Sequence, residues 1–279
     1  MWALKAVRRL PKSVQIEWED GYLANFPYVW LRDNTLRRPS LLHVDLDLKP
    51  YVMDWNKDRL SVLWPICMAS QYSSQFLRTY SIIRPGVDMD EPLPQSILPN
   101  TWKIVPATPC DPMVTMGTVE WGERARDLGN VWPHLERVPS LCTVDSLNGV
   151  SEVYVADAVQ AFEEMSVRFP EEFDFLTRCS VEYRQGPFKA RHKIVNTTCV
   201  DGKLQINSVI LDNDSRSPEI TVECLDKLYS NLKLFAVILT TNAHTVQLGP
   251  KDRLVVDNHR AMVGAPPKLG RRLLVRTFS

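Results

Sequence analysis

The stretch GPKDRLVVDNHRAMVGA at residues 249–265, followed by GRRLLVR at 270–276, carries the clearest pattern in the chain. Residues 254–256 are consecutive apolar side chains, and the Gly-Pro pair at 249–250 separates them from the alternating segment 245–248. Alternating segments and short apolar runs bounded by turn residues are typical of strands. This end of the chain is therefore predicted to form adjacent short strands.

The composition is that of an ordinary globular protein. The chain has 279 residues, of which 44% are hydrophobic and 24% charged, which is enough for one large or two small domains. Its 33 basic and 33 acidic residues cancel, so no global field attracts nucleic acid or an anionic membrane, and we expect neither as a partner. The longest apolar run, 234–239, is too short for a transmembrane helix.

The six cysteines are widely spaced and form no Cys/His cluster. This spacing favours reduced, mostly buried thiols in an intracellular protein over a disulfide framework. We expect a cytoplasmic location, with a mitochondrial one as the alternative because residues 1–10 are cationic and lack acids. The cysteines are Cys67, Cys110, Cys142, Cys179, Cys199 and Cys224.

The chain divides by pattern into three segments. Residues 1–83 are predicted to be a small β-rich domain, residues 84–118 a proline-rich linker, and residues 119–279 a larger domain. In the first segment, strands are predicted at 14–18, 26–31 and 59–64, since turn residues bound each of these apolar stretches.

Helices are predicted only in the third segment. Residues 157–165 place apolar side chains on one helical face, 170–176 begin with a proline and acids suited to a first helical turn, and 222–239 form a long amphipathic stripe. Helices beside many short strands indicate an α+β, β-rich fold.

Two separated motifs resemble the γ-butyrobetaine and trimethyllysine hydroxylase family of Fe(II)/2-oxoglutarate dioxygenases. The first combines Trp18-x-Asp20-Gly21 with WLRDN at 30–34, and the second is the Asp257-Asn258 region. The resemblance implies a small N-terminal β module followed by an incomplete double-stranded β-helix, or jelly roll, with flanking helices. It covers both ends of the chain and is lost in the middle.

The family's iron is held by two histidines and one carboxylate. Counting back from Cys142 in the family's register puts its His-x-Asp string on 125–127, so that Asp127 keeps the carboxylate and Ala125 replaces the first histidine. The alternative for Asp127 is a solvated residue in a charged run. Val263 stands where the second histidine is expected.

No other histidine is predicted to replace the one missing at Val263. His259 lies four residues earlier, about 13 Å along a strand, and is expected to be a buried or rim residue. Ala265 stands where the family has an arginine. The resemblance therefore implies Fe(II) and 2-oxoglutarate as cofactors and, at the same time, the loss of iron ligands.

The family anchors 2-oxoglutarate on an arginine of its last strand, through a bidentate pair with the carboxylate. Arg271 fits that position best, Arg272 and Arg276 remain open, and a basic exposed edge strand is the alternative. Arg216 is a further candidate contact of the same pocket. The family's structural zinc is not expected, because residues 35–42 lack cysteine and Gln71 lies near the place of the zinc-binding histidine.

Three functional hypotheses follow. The first is a hydroxylase acting on a trimethylammonium compound in carnitine synthesis. The second is a non-catalytic relative that binds a dicarboxylate or a partner, as a homo- or heterodimer. The third is a truncated or rearranged chain, which the short stretch 121–142 favours. We expect the iron chemistry to be impaired.

Overall fold

A computed structural model of the chain describes residues 2–36, 38–81, 101–107, 115–219, 222 and 224–278. The chain folds into two units. Unit 1 comprises Met1–Gly86 and Pro218–Lys233, and unit 2 comprises Val87–Ser217 and Leu234–Ser279. Residues 218–233 thus return to the N-terminal unit, a long-range association that the linear pattern did not reveal.

Unit 1 contains two antiparallel three-stranded sheets, in the orders β1-β2-β3 and β4-β5-β6. Its aromatic core includes Trp18, Trp30 and Trp64, all essentially inaccessible to solvent. The elements are β1 (Leu4–Arg9), β2 (Ser13–Trp18), β3 (Leu23–Pro27), α1 (Tyr28–Asp33), a 3-10 helix (Leu41–His43), β4 (Val52–Trp55), β5 (Arg59–Trp64), a second 3-10 helix (Pro65–Cys67), β6 (Met68–Ser73) and α2 (Ser74–Thr79).

The strand predicted at 26–31 is wrong. Pro27 ends β3, and the apolar run that follows forms the helix α1, in which Tyr28, Trp30 and Leu31 are all buried. A short apolar run buried on all sides has no periodicity that separates a strand from a helix. The strands predicted at 14–18 and 59–64 are present as β2 and β5.

Unit 2 is built on a five-stranded sheet of order β7-β17-β10-β19-β8 and a four-stranded sheet of order β16-β11-β18-β9. Two hairpins, β12-β13 and β14-β15, accompany them. The strands are β7 (Trp102–Pro106), β8 (Thr115–Trp121), β9 (Arg126–Gly129), β10 (Leu141–Ser146), β11 (Ser151–Asp157), β12 (Ser180–Gln185), β13 (Phe188–Lys193), β14 (Val195–Val200), β15 (Lys203–Val209), β16 (His244–Leu248), β17 (Asp252–Asp257), β18 (Ala261–Ala265) and β19 (Leu273–Phe278).

The predicted double-stranded β-helix is confirmed. When the strands of the two large sheets are counted from β8, the first, eighth, third and sixth are neighbours in one sheet and the second, seventh, fourth and fifth in the other. This is the strand order of a jelly roll. All eight strands of the jelly roll lie in the described residues. The sheets are therefore complete, although an incomplete jelly roll was expected.

The two sheets enclose one apolar core. Side chains from both sheets form a single buried cluster, which includes Cys142, Val144 and Val275 from the larger sheet and Val155 and Val263 from the smaller one. Directly paired residues of antiparallel strands share a face, so the register fixes which side chains point into the barrel.

Three helices belong to the connection between β11 and β16. They are α3 (Ala158–Arg168), α4 (Pro170–Thr177) and α5 (Leu225–Thr241). The Asp157 carboxylate caps α3 by accepting from the Gln160 amide at 2.9 Å, and Phe162 stacks on Phe235 with ring centroids 4.0 Å apart. The helices predicted from periodicity are all present. No helix in the described part of the chain has the length and apolarity that a membrane span requires.

The linker predicted at 84–118 is only partly described. Its described ends are strands: β7 pairs with β17, and β8 pairs with β19, so both belong to the five-stranded sheet. These strands were not predicted because the prolines of the segment suggested loops. Pro106 lies at the end of the outermost strand β7, where a missing backbone N–H is tolerated. The prolines at 85, 92, 94, 99, 109 and 112 lie outside the described residues.

Candidate functional site

Val263, which stands where the resemblance places the second metal-binding histidine, lies on the inner face of the smaller sheet. Val263 pairs with Val155 on one side and with Gly129 on the other, and its side chain is 2% exposed. Ala261 and Ala265 belong to the same apolar cluster. The backbone register thus puts an aliphatic side chain at an interior position of the barrel.

The structure does not bring Asp127 opposite Val263. The residue paired with Val263 is Gly129, and a register shift then pairs Ala265 with Arg126. The Asp127 carboxylate instead accepts a hydrogen bond from the Asn213 amide at 3.2 Å. The count from Cys142 assumed the spacing that the resemblance implies, and the observed pairing of β9 with β18 does not follow it.

The side chain of Asn130, the next residue after Gly129, is also held by hydrogen bonds within the protein. Asn130 is buried, and its side-chain oxygen accepts from the Leu211 amide at 2.7 Å while its amide donates to the Asn258 carbonyl at 2.5 Å. Neither Gly129 nor Asn130 therefore offers a free ligand atom. Across the described ranges, no three His, Cys, Asp or Glu side chains converge to hold a metal.

Arg271 is 2% exposed and makes four hydrogen bonds, all to backbone carbonyls. Nε and Nη2 both donate to the Gly122 oxygen, at 3.0 and 2.7 Å, and further N–H groups reach Arg124 and Pro266. Burial, followed by repulsion from Arg126, lowers the pKa of this guanidinium. A guanidinium has five N–H groups, so Arg271 keeps little capacity for a carboxylate.

Arg272, just before the last strand, and Arg276, within it, are both paired with acids. Arg272 makes a two-pronged pair with Glu120, at 2.6 and 3.0 Å, and Arg276 binds the buried carboxylate of Asp145. Strand β19 lies between β10 and β8 and is not an edge strand. These charges therefore tie neighbouring strands of the larger sheet together.

Arg216 and Asp127 meet through one side chain. Asn213 donates its amide N–H to Asp127 and accepts at its oxygen from Nη2 of Arg216, at 2.8 Å. Arg216 is buried and pairs in a β-bridge with Tyr183. Both residues were candidates from the sequence, but spacing could not predict that Asn213 connects them.

Sequence reasoning missed a polar cavity of about 50 Å³ in unit 2. Arg126 lies on one wall, with its guanidinium carbon 4.6 Å from the centroid of the Trp121 ring. In the sequence, Arg126 is only one member of a charged run that predicts a solvated segment. The lining residues are Val119, Trp121, Arg126, Asn130, Val131, Trp132, Pro133, His134, Gln185, Asp212 and Ser215.

Arg126 has two acidic neighbours at long range. Its guanidinium lies 3.9 Å from Asp212 Oδ1 and 3.5 Å from Asp214 Oδ2. The other oxygen of Asp212 accepts from the Ser215 amide and hydroxyl, at 3.1 and 2.5 Å. Arg126 is thus held by charge and by the Trp121 face rather than by short hydrogen bonds.

Two lining residues bear buried polar atoms that no described group satisfies. They are Nε1 of Trp132 and Nδ1 of His134. Burial lowers the pKa of His134, and the Asp212 charge opposes that shift. Such unsatisfied atoms are rare in folded proteins and call for an explanation.

The loop that carries Trp132 and His134 is fixed by a buried network. His259 donates from Nε2 to the Val138 carbonyl at 2.9 Å, and His192 does the same to Leu135 at 2.9 Å. Asn258 bonds both the Val131 and the Pro139 carbonyls, each at 2.9 Å. His259 is therefore buried, and its ring positions the loop over the cavity.

No protein-family model and no curated relative matches the sequence. Among solved structures, a taurine dioxygenase from Burkholderia xenovorans superposes with a TM-score of 0.44 and 12% identity, over 58% of this chain and 62% of that one. An asparagine oxygenase with Fe(II), hydroxyasparagine and succinate gives 0.45 and 17%, over 56% and 50%. The PvcB protein from Pseudomonas aeruginosa gives 0.42 and 14%, over 60% and 66%.

The aligned regions thus cover between half and two thirds of the length of those three proteins. At TM-scores below 0.5, the assignment of the fold rests on this chain's own strand order and interior packing.

Proposed function

We propose that this protein is a non-catalytic relative of the Fe(II)/2-oxoglutarate dioxygenases of the γ-butyrobetaine type, in which the jelly roll serves as a binding scaffold. The pairing of Val263 with Gly129 on the barrel's inner face carries the proposal. The motifs at 18–21 and 30–34 and the Asp257-Asn258 region support the relationship to that family.

The residues present do not fit a catalytic iron. Two imidazoles and a carboxylate must converge on one face to hold Fe(II) with open positions for oxygen. Here Val263 has no donor atom, the Asp127 carboxylate binds Asn213, and both His192 and His259 use Nε2 on backbone carbonyls. No step of a reaction is therefore assigned to iron in this chain.

The residues also fit 2-oxoglutarate poorly. The Arg271 guanidinium donates four hydrogen bonds to backbone carbonyls and has little capacity left for a carboxylate. The cavity of about 50 Å³ is about a third of the roughly 150 Å³ cavity that holds benzene, and 2-oxoglutarate is larger than benzene. The proposed scaffold is accordingly one for a smaller ligand or for a partner, and assembly as a homo- or heterodimer remains a prediction.

The experiment is an anaerobic titration of the full chain with Fe(II) in the presence of 2-oxoglutarate, followed by visible absorbance. We expect no metal-to-ligand charge-transfer band at millimolar iron, because the ligand set is missing. A band would instead favour an active hydroxylase and overturn the proposal.

Two variants test whether any weak absorbance change on adding Fe(II) comes from a specific site. Asp127→Asn removes the one candidate ligand, whereas Asp201→Asn changes an exposed carboxylate in the β14-β15 turn and is the matched control. A specific site is indicated only if Asp127→Asn abolishes the effect and Asp201→Asn retains it.

A further inference from the structure

The cavity beside Arg126 has the size of a small ligand. Its volume of about 50 Å³ is about a third of the roughly 150 Å³ cavity that holds benzene, so a ligand there has only a few non-hydrogen atoms. All lining residues belong to unit 2, and the buried network of Asn258, His192 and His259 holds the loop over them. The cavity is thus a property of a fixed framework.

Arg126 and the buried carboxylate of Asp212 both line the cavity, so the unpaired N–H donors, and not the net charge, favour an anion. Arg126 lies on the cavity wall, and Arg271 is near enough for the two guanidiniums to repel each other, which is one reason why the pKa of Arg271 is lowered. Asp214 is half exposed, so solvent screens its charge. Asp212 directs one oxygen to Ser215, and only Oδ1 approaches Arg126, at 3.9 Å.

The preference for an anion comes from the hydrogen-bonding groups. Within the described residues, the N–H groups of Arg126 make ion pairs beyond the usual hydrogen-bond distance, so they retain donor capacity. Trp132 Nε1 can only donate, and no described group accepts from it. His134 is 5% exposed, and its unsatisfied Nδ1 donates in one of the two neutral tautomers.

Resting on the proposed loss of iron chemistry, we propose that this cavity binds a small carboxylate or another planar oxyanion of similar size. Arg126 pairs with the two oxygens, as a guanidinium does with a carboxylate, while its far face remains on Trp121. Trp132 and His134 supply the remaining donors. The jelly roll would thus hold an anion on a fixed guanidinium, close to the strand pair where its catalytic relatives hold a metal.

The probe is acetate, titrated into the full-length protein in the presence of a metal chelator, with chloride at equal ionic strength as the reference. Binding is followed by saturation-transfer NMR of the acetate methyl group and by the midpoint of thermal unfolding, which rises when a ligand binds only the folded state. Sulfate in a parallel titration distinguishes a planar oxyanion from a tetrahedral one.

Arg126→Gln should weaken acetate binding about 10- to 100-fold, because a charge-assisted hydrogen bond is lost. Arg124→Gln is the matched control: its side chain is exposed and outside the cavity, so acetate binding should be unchanged. Trp132→Phe keeps an aromatic ring, removes the N–H donor and should weaken binding severalfold.

The proposal is overturned if acetate acts no differently from chloride on the wild-type protein, or if Arg126→Gln binds acetate as the wild type does. Should Arg126→Gln fail to fold, Arg126→Lys takes its place: it keeps the charge, loses the two-pronged geometry and must bind acetate more weakly. The chelator keeps this test separate from the iron titration, since a charge-transfer band there overturns the proposed function without touching the acetate result.

Discussion

Two neighbouring regions inside the jelly roll differ in character although one short strand contributes to both. Around Val263 and Gly129 the barrel is apolar and closely packed. Around Arg126, three residues earlier on β9, it is polar and contains unsatisfied atoms. Packing alone accounts for the first region, whereas the second costs stability and is explained by a ligand.

The packed region leaves no room for a side chain at either of its two glycines. A Cβ on Gly129 would lie 2.9 Å from Asp212 Oδ1 and 3.2 Å from the Asp212 backbone, and one on Gly264 would lie 2.8 Å from the Arg126 carbonyl. A side chain at Gly129 or Gly264 would therefore require the neighbouring backbone to move.

Arg271 and Arg126 differ in the same way as the packed and polar regions do. Arg271 belongs to the packed structure, because all four of its hydrogen bonds go to backbone carbonyls. Arg126 belongs to the polar cavity, with long ion pairs and a side chain that is 30% exposed. The first should matter to stability and the second to binding.

The largest expected effect is that of Arg271→Leu. The substitution leaves the carbonyls of Gly122, Arg124 and Pro266 without their donors, and we expect the free energy of unfolding to fall by about 3 kcal/mol. Arg126→Gln is the control, with an expected loss below about 1 kcal/mol because its ion pairs are partly exposed. Equal losses in urea unfolding would contradict the distinction.

A somewhat smaller effect is expected at Gly117. A Cβ at this position would overlap the Trp132 ring, so Gly117→Ala must displace the ring and open the wall of the cavity. Overpacking of this kind costs about 2 kcal/mol. Gly122→Ala is the matched control, since no atom lies within 4 Å of its Cβ, and it should change stability by less than about 0.5 kcal/mol. If both variants unfold alike, Trp132 does not pack as described.

The sequence predicted the fold well where periodicity is strong. The helices α3, α4 and α5 and the strands at the C-terminal end follow from apolar spacing and turn residues, because helices and half-buried strands have different periods. Helix α1 was missed because its apolar run is buried on every side. Strand β7 was missed because the proline-rich segment around it suggested a loop.

The candidate site was less predictable because it depends on register. Val263 lies in β18, but the sequence spacing did not predict that Gly129 is its partner. Arg126 looked like one charge among several. Only the pairing of β9 with β18 puts its side chain on the inner face. The cysteines show the same limit: Cys67, Cys199 and Cys224 are exposed, whereas mostly buried thiols were expected.

A third prediction tests the apolar region directly. Val263→Thr keeps the shape of the side chain and adds a hydroxyl for which the surrounding valines and alanines offer no partner. The free energy of unfolding should fall by about 1 to 2 kcal/mol. Val167→Thr makes the same change at an exposed helix position and should have little effect. A neutral Val263→Thr would indicate that water or a polar group already reaches this position.

The smallest expected effect is on the pH dependence of stability. Burial lowers the pKa of both His192 and His134, and for His192 the nearby His259 acts in the same direction. The unfolded chain therefore binds more protons than the folded one below the ordinary histidine pKa of about 6.5. Stability should fall as the pH drops from about 6.5 toward the lowered pKa values of the folded protein.

Urea unfolding between pH 7.5 and 5 measures this slope. His192→Gln removes one of the two imidazoles and should make the slope shallower, because the side chain no longer takes up a proton on unfolding. His134→Gln should do the same, and with acetate present it also reports on the cavity, since a bound anion favours a protonated His134 and offsets part of the acid destabilisation. An unchanged slope in both variants would mean that neither His192 nor His134 causes the acid sensitivity. His134 would then be only a packing residue of the cavity wall.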